Sequence, residues 1–376
     1  MARYIYQLTE WPKFTWDHGA LAVPLAEIRF RQGRLLGRME SLGFALQQEA
    51  ELETLTLDVV KSSEIEGENL NTNQVRSSIA RRLGMDIAGM IPAHRNVEGV
   101  VEMMLDASRN FDEPLTRDRL FAWHAALFPT GRSGMRKIIV GAWRDDADGP
   151  MQVVSGPIGR ERVHYQAPAA PLLEGEMARF FNWANGSDGN DPLLRAALAH
   201  LWFATIHPFD DGNGRMARAI ADWALARSEK SPQRFYSMSS RIRQERDAYY
   251  EILERTQKGT LDVTPWMVWF LVCLGRAFEG TEATLATVLH KARFWRKHAD
   301  VNINDRQRLL LNKILDGFDG KLTSSKWARI AKCSQDTAIR DIKDLVAQGV
   351  LEKDAGGGRS TSYSLFRRNI ATGSSG

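Results

Sequence analysis

Apolar residues along most of this 376-residue chain recur at helical rather than strand spacing. Leu21 to Leu42 is rich in Leu, Arg, Glu and Ala, and Leu52, Leu55, Val59 and Val60 continue the pattern in a second helix. A short amphipathic helix is expected from Asp118 to Phe128, stopped by Pro129 and Gly131. Asp191-Pro192 reads as an N-cap and first-turn proline opening a helix through Phe203, and Thr264-Pro265 opens another. The pattern changes at two short apolar runs, Lys137 to Trp143 and Met151 to Val154, separated by Arg144 to Pro150 with its Asp and Gly. These runs predict a β-hairpin within a helical protein, with Ile138 to Trp143 as its candidate edge strand. The expected fold class is mainly α.

Toward the C-terminus, Asn304 to Phe318 predicts a helix, Thr323-Ser324 caps a second through Ala331, and Ser334 caps a third, Gln335 to Gln348, closed by Gly349. Val350 to Glu352 and Thr361 to Phe366 read as two strands around a Gly-rich loop. Three helices and a basic hairpin resemble a winged helix-turn-helix. On its third helix Ile339, Ile342, Leu345 and Val346 are expected to face inward. Gln335, Thr337, Arg340 and Lys343 are expected to face a DNA major groove, with Arg359 on the wing. Asp336, Asp341 and Asp344 share that helix and oppose this use, which leaves a protein contact as the competing reading.

Charge sharpens the division. The net charge of +4 conceals a segment from Lys291 to Arg368 with 17 basic and 9 acidic residues, so the remainder is mildly acidic. A basic tail on an acidic body implies an anionic partner for the tail alone. The two cysteines, Cys273 and Cys333, lie in different expected domains and fit a reducing, cytoplasmic setting. No apolar run follows the N-terminus, and Trp266 to Leu274 is too short to span a bilayer, so neither a signal peptide nor a membrane partner is expected.

The chemistry concentrates in His207-Pro-Phe-Asp-Asp-Gly-Asn-Gly-Arg-Met-Ala-Arg218. A helix ends near Ile206, a turn carries His207, and Gly212-Asn213-Gly214 leads into a helix from Arg215 to Arg227. Glycines at a helix start leave several backbone N–H groups approachable, which makes an anion cradle. Arg215 and Arg218 lie three apart and add positive charge. Asp211 beside the cradle suits Mg²⁺, a hard cation that takes carboxylate and phosphate oxygens. His207 is close enough in sequence to accept a proton from an attacking hydroxyl. Gly212-x-Gly214-x-x-Ala217 also matches a dinucleotide-binding fingerprint, but that fingerprint follows a strand and this one follows a helix. The other histidines, among them His94, His124, His164 and His200, show no metal-ligand spacing.

At every fixed position this stretch resembles the Fic (filamentation induced by cAMP) signature. The resemblance implies a Fic-type helical core with a β-hairpin flap, ATP and Mg²⁺ as substrate and metal, and transfer of AMP to a protein hydroxyl. It implies that His207 deprotonates that hydroxyl, Phe209 anchors the loop, and Asp211 binds Mg²⁺. Asn213 with the Gly212 and Gly214 backbone would hold the α- and β-phosphates, Arg215 would pair with the β-phosphate and Arg218 with the γ-phosphate. Tyr249 and Tyr250 would line the adenine pocket. The flap would add a target segment as an extra strand.

Ser62 to Gly67 matches a second pattern of that family, Ser/Thr-x-x-x-Glu-Gly/Asn. Five glutamates precede Gly or Asn, and only Glu66 has Ser or Thr four residues earlier. Ser62 and Glu66 therefore share a helical face. The resemblance implies an inhibitory helix whose Glu66 pairs with Arg218 and mis-sets ATP. The expected domains are 1–109 with that helix, 110–290 as the catalytic domain and 291–370 as the winged helix. The function expected is autoinhibited protein adenylyltransfer to a target protein or to the chain itself. Removal of AMP is one alternative, and a DNA-binding regulator whose Fic domain senses nucleotide is another. A homodimer stays open.

Overall fold

The computed structural model describes residues 4–366 apart from Ala88, Ile158, Asp316, Phe318, Asp319 and residues 355–360. The chain divides into two compact units, residues 1–85 with 91–284, and residues 86–90 with 285–376. The first unit is built from α1 (His18–Glu40), α2 (Phe44–Ile65), α3 (Thr72–Arg82), α4 (Arg95–Arg109), α5 (Arg117–Leu127), α6 (Leu173–Asn185), α7 (Pro192–Ile206), α8 (Asn213–Glu229), α9 (Met238–Gln244), α10 (Arg246–Gln257) and the first part of α11 (Thr264–Lys297). Two short antiparallel ribbons interrupt the helices: β1 (Arg132–Ser133) with β2 (Arg136–Lys137), and β3 (Gln152–Ser155) with β4 (Arg162–Gln166).

Helices α7 and α8 form the centre of this unit. Asp191 caps α7 by accepting from the Leu193 N–H at 2.8 Å, and Pro192 occupies the first turn, where its missing N–H costs nothing. Every residue of α7 from Ala196 to Ile206 is buried. A helix apolar on all sides must be enclosed: α6 and α8 pack on α7, and α2 and α4 pack on α8. The loop from His207 to Gly212 thus hangs between two helices that cannot move without opening the core.

The expected hairpin is corrected in its pairing. The partner of β3 is β4, Arg162–Gln166, and Ile138 to Trp143 is not a strand. The reason is where the N–H groups of that segment, and of Arg144 just after it, go. Ile139 donates to Asp210 Oδ2 (2.8 Å), Gly141 to His124 Nδ1 (3.2 Å) and Arg144 to the Pro208 carbonyl (3.0 Å). These donors are consumed by the loop from His207 to Gly212 and its neighbour α5, so an apolar run reads as a strand while serving as a brace.

The second unit contains α12 (Asp305–Leu315), α13 (Ser324–Ala331), α14 (Gln335–Ala347) and the antiparallel pair β5 (Leu351–Lys353) and β6 (Tyr363–Leu365). Thr323 and Ser334 cap α13 and α14 through their hydroxyls, as expected. The buried stripe of α14 is Ala338, Asp341, Ile342 and Leu345, a single 3.6-residue repeat. Val346 falls outside that stripe and is exposed, contrary to expectation, and Ile339 is only half-buried. Asp341 takes an interior place because Arg306 and Asn304 match its carboxylate. Gln335, Arg340 and Lys343 are exposed and Thr337 half-buried, while Arg359 lies outside the described residues. Among the described residues, no helix is long and apolar enough to cross a membrane.

Candidate active site

His207 closes α7 in a left-handed conformation, φ 51° and ψ 58°. A non-glycine residue there costs roughly 1–2 kcal/mol, and such strain persists only where neighbours impose it. Arg144 is one of these. Its buried guanidinium donates to the His207 carbonyl (2.9 Å), to Asp146 (2.9 Å) and to the Pro168 carbonyl. Nδ1 of His207 lies 3.3 Å from the Ala204 carbonyl. A carbonyl only accepts, so Nδ1 carries the proton and Nε2 keeps its lone pair. Burial lowers the His207 pKa to about 4, with the Ala204 carbonyl opposing and Arg144 adding to the effect, so the ring is neutral near pH 7.

The loop after His207 is held from inside. Phe209 is fully buried and stacks on His124, centroids 4.2 Å apart and planes 14° apart. Asn213 folds its side chain back onto Phe209, accepting from its N–H (3.0 Å) and donating to its carbonyl (2.7 Å). That carboxamide is committed to the loop, so what Asn213 offers an anion is its main chain. Gly212 takes φ 82°, and a Cβ there would sit 2.8 Å from the Phe128 ring, so both conformation and space demand glycine. The helix then begins with its N–H groups open, next to Arg215 and Arg218, both buried.

His124 was not singled out by the sequence. Its Nδ1 accepts from Gly141, so Nε2 carries the proton and donates to the Asp211 carbonyl at 3.1 Å. Burial lowers its pKa to about 4, which keeps this one tautomer in place. Neither His124 nor Arg144 has a motif; only the fold brings them to the loop. Asp211 turns its carboxylate to Ser133 and the Gly212 N–H. No cluster of three or more His, Cys, Asp or Glu able to hold a metal occurs among the described residues. One carboxylate beside an anion cradle nevertheless fits Mg²⁺, which takes one or two carboxylates and completes its shell with phosphate and water.

The cradle is filled by the chain itself. Helix α2 ends in a Schellman turn: the Glu68 N–H bonds the Ser63 carbonyl (3.0 Å), the Gly67 N–H bonds the Glu64 carbonyl (3.1 Å), and Gly67 has φ 83°. This turn delivers two carboxylates. Glu66 Oε1 lies 2.8 Å from Arg218 NH1 and so close to Gly214 that a Cβ there would overlap it. Arg218 also donates to the Ser62 hydroxyl (3.0 Å) and carbonyl (2.8 Å). Glu68, which carried no expectation, pairs with Arg215 at 2.8 Å. Tyr250 reaches Glu66 at 3.4 Å and Tyr249 bonds His200 at 2.9 Å.

A cavity of about 550 Å³ gathers these groups: Glu66, His207, Asp211, the Gly212–Gly214 backbone, Tyr249 and Tyr250, with β3 and β4 as one wall. Residues 114–225 match the Fic/DOC family. The chain carries a Fic/DOC domain over those residues. Residues 4–85, which include α2, match a separate domain of unknown function, DUF4172. A protein adenylyltransferase Fic of Drosophila grimshawi is 25% identical over 243 residues, covering 62% of this chain and 44% of that protein. A uridine 5'-monophosphate transferase of Xanthomonas campestris pv. campestris (strain 8004) is 31% identical over 143 residues, 34% of this chain and 24% of that protein. The chain thus spans less than half the length of these curated relatives. A Fic family protein from Desulfovibrio desulfuricans G20 shares the Fic fold, with TM-score 0.54 and 22% identity over 94% of this chain and 98% of that one.

Proposed function

We propose that this Fic-domain protein is a protein adenylyltransferase that moves AMP from ATP to a hydroxyl of a protein and is restrained by Glu66. The observation that carries the reading is a neutral His207, its Nε2 lone pair free, on one cavity with an intact anion cradle. The hydroxyl oxygen attacks the α-phosphorus and gives its proton to Nε2. The bond to pyrophosphate breaks in line, and the Gly212–Gly214 N–H groups with Arg215 and Arg218 take up the charge that leaves. Asp211 would hold Mg²⁺, whose chemistry is to neutralise phosphate charge.

The restraint is electrostatic. In the structure described, both arginines are already paired with carboxylates, Arg218 with Glu66 and Arg215 with Glu68. A triphosphate must displace them before its terminal groups can be held. Relatives named for AMP and for UMP transfer leave base choice to the wall formed by Tyr249, Tyr250 and the flap. The test is incubation of the full chain, wild type and Glu66→Gly, with ATP and Mg²⁺, read by mass spectrometry and pyrophosphate release. An AMP adduct on the chain or an added protein is expected. Absence of both adduct and pyrophosphate from both forms would overturn the reading. Loss of a preloaded AMP, without gain, would point to the reverse reaction.

A further inference from the structure

The flap carries a second arrangement of reactive groups on the wall of the same cavity. Ser155 ends β3, His164 lies in β4 and Glu254 lies on α10. Ser155 Oγ is 2.6 Å from His164 Nε2, and His164 Nδ1 is 2.6 Å from Glu254 Oε2. The three side chains line the cavity that also holds His207 and the cradle.

The roles follow from proton bookkeeping. Burial alone would raise the Glu254 pKa, but hydrogen bonds from Lys258 and His164 pull it down to about 2, so the carboxylate is ionised and only accepts. Nδ1 of His164 therefore carries a proton, and in the neutral ring Nε2 holds a lone pair to which the Ser155 hydroxyl donates. Nucleophile, base and orienting carboxylate stand in the order required to activate a hydroxyl. The backbone builds this arrangement. Val153 faces Tyr165 and Val154 faces Val163, so His164 is the extra residue of a β-bulge. Bulges free a residue from the ladder and re-aim its side chain. Ser155 itself is exposed.

We propose that Ser155 is an acceptor of the nucleotidyl group in cis, with His164 as its base and Glu254 as the residue that positions His164. The proposal rests on the nucleotidyl-transfer reading above and names one substrate of it. Ser155 Oγ attacks the α-phosphorus of ATP, its proton passes to His164 Nε2, the new Oγ–P bond forms as the bond to pyrophosphate breaks, and pyrophosphate leaves. A hydroxyl tethered to the cavity wall needs no encounter step, which favours it over a free protein at low concentration. Once esterified, Ser155 no longer donates to His164, and the flap wall carries the nucleotide.

The experiment uses the full-length Glu66→Gly chain with ATP and Mg²⁺, mapped by peptide mass spectrometry. AMP is expected on Ser155, absent from that peptide in Ser155→Ala. His164→Gln is expected to slow labelling of Ser155 by about 10²-fold relative to labelling of other sites and of added protein. Equal slowing at every site would mean that His164 only staples the flap to α10, and would overturn its role as base. AMP on other residues or on added protein with none on Ser155 would overturn the proposal while leaving nucleotidyl transfer standing. No AMP anywhere and no pyrophosphate would overturn the transfer reading, and this proposal with it.

Discussion

His207 combines a strained backbone, held by Arg144 far along the chain, with a tautomer fixed by Ala204 within the same helical turn. Arg144 holds its carbonyl and the Ala204 carbonyl holds Nδ1. Its pKa of about 4 means that the base is already neutral through the physiological range. His207→Ala is expected to reduce AMP transfer to an added protein by about 10²- to 10⁴-fold while leaving ATP binding intact, because the phosphate cradle lies elsewhere. Transfer assays and nucleotide titration check this; near wild-type transfer would remove His207 as the base. A second residue-scale expectation concerns His124 and His200, both buried. Burial lowers the first to about 4; burial and then Arg218 lower the second to about 3. These folded values lie below the ordinary histidine value of 6.5, so below that pH the unfolded chain binds more protons. Their contribution is complete above about pH 6.5 and is lost as pH falls toward the folded values. At about pH 5 each costs up to roughly 2 kcal/mol. Urea unfolding at about pH 7.5 and about pH 5 measures it, with a lower midpoint expected in acid; an unchanged midpoint would contradict the neutral assignments.

At the scale of an element, the proposed restraint rests on the end of α2. Its Schellman turn presents Glu66 and Glu68 to two arginines of α8, but the pairs are unequal. Glu66 meets Arg218 with side chains 28% and 2% exposed, whereas Glu68 is 44% exposed. The better buried pair is less screened by water. If the Glu66 clamp favours the closed state by roughly 3 kcal/mol, it hides activity about 10²-fold. Glu66→Gly is therefore expected to raise AMP incorporation by about 10²-fold. Glu68→Gln should raise it by no more than about fivefold, within the range of an exposed pair. Arg218→Ala should not mimic the gain, since it removes a phosphate ligand with the brake. Labelled-AMP incorporation at equal ATP compares all four proteins. Equal rates for wild type and Glu66→Gly would leave Glu66 without a braking role.

At the scale of the whole molecule, the basic second unit stands apart in charge from an acidic first. The acidic residues of α14 are less repulsive than their number implies. Asp341 is neutralised by Arg306, and Asp344 is bonded by Gln307 and Gln348. Arg340 and Lys343 remain exposed on the same helix. The full chain is therefore expected to bind duplex DNA with an affinity that falls steeply with salt, about one unit of log–log slope per phosphate contacted. Arg340→Ala with Lys343→Ala should flatten that slope by about two units. Titration at low and physiological salt reads it; no binding at either leaves a protein contact as the use of this unit.

Local chemistry was legible in the sequence where one short segment holds all its parts. Glycines at a helix start, a histidine before them and arginines one turn in mark a candidate anion site without help from the rest of the chain. Ser62 and Glu66 were legible because one helical turn separates them. Caps at Asp191, Thr323 and Ser334 were legible because a side-chain oxygen needs only the next turn. The tertiary structure decided whatever depends on partners far along the chain. It turned Ile138 to Trp143 from a strand into a brace, because Asp210 and His124 took the N–H groups of Ile139 and Gly141. It set Val346 outside and Asp341 inside, because Arg306 and Asn304 could match the carboxylate. It recruited His124, Arg144 and Glu68 to the loop, and it joined Ser155, His164 and Glu254 across a bulge and a helix. Periodicity reports which face of an element is buried; which polar group waits there is a property of the assembled chain.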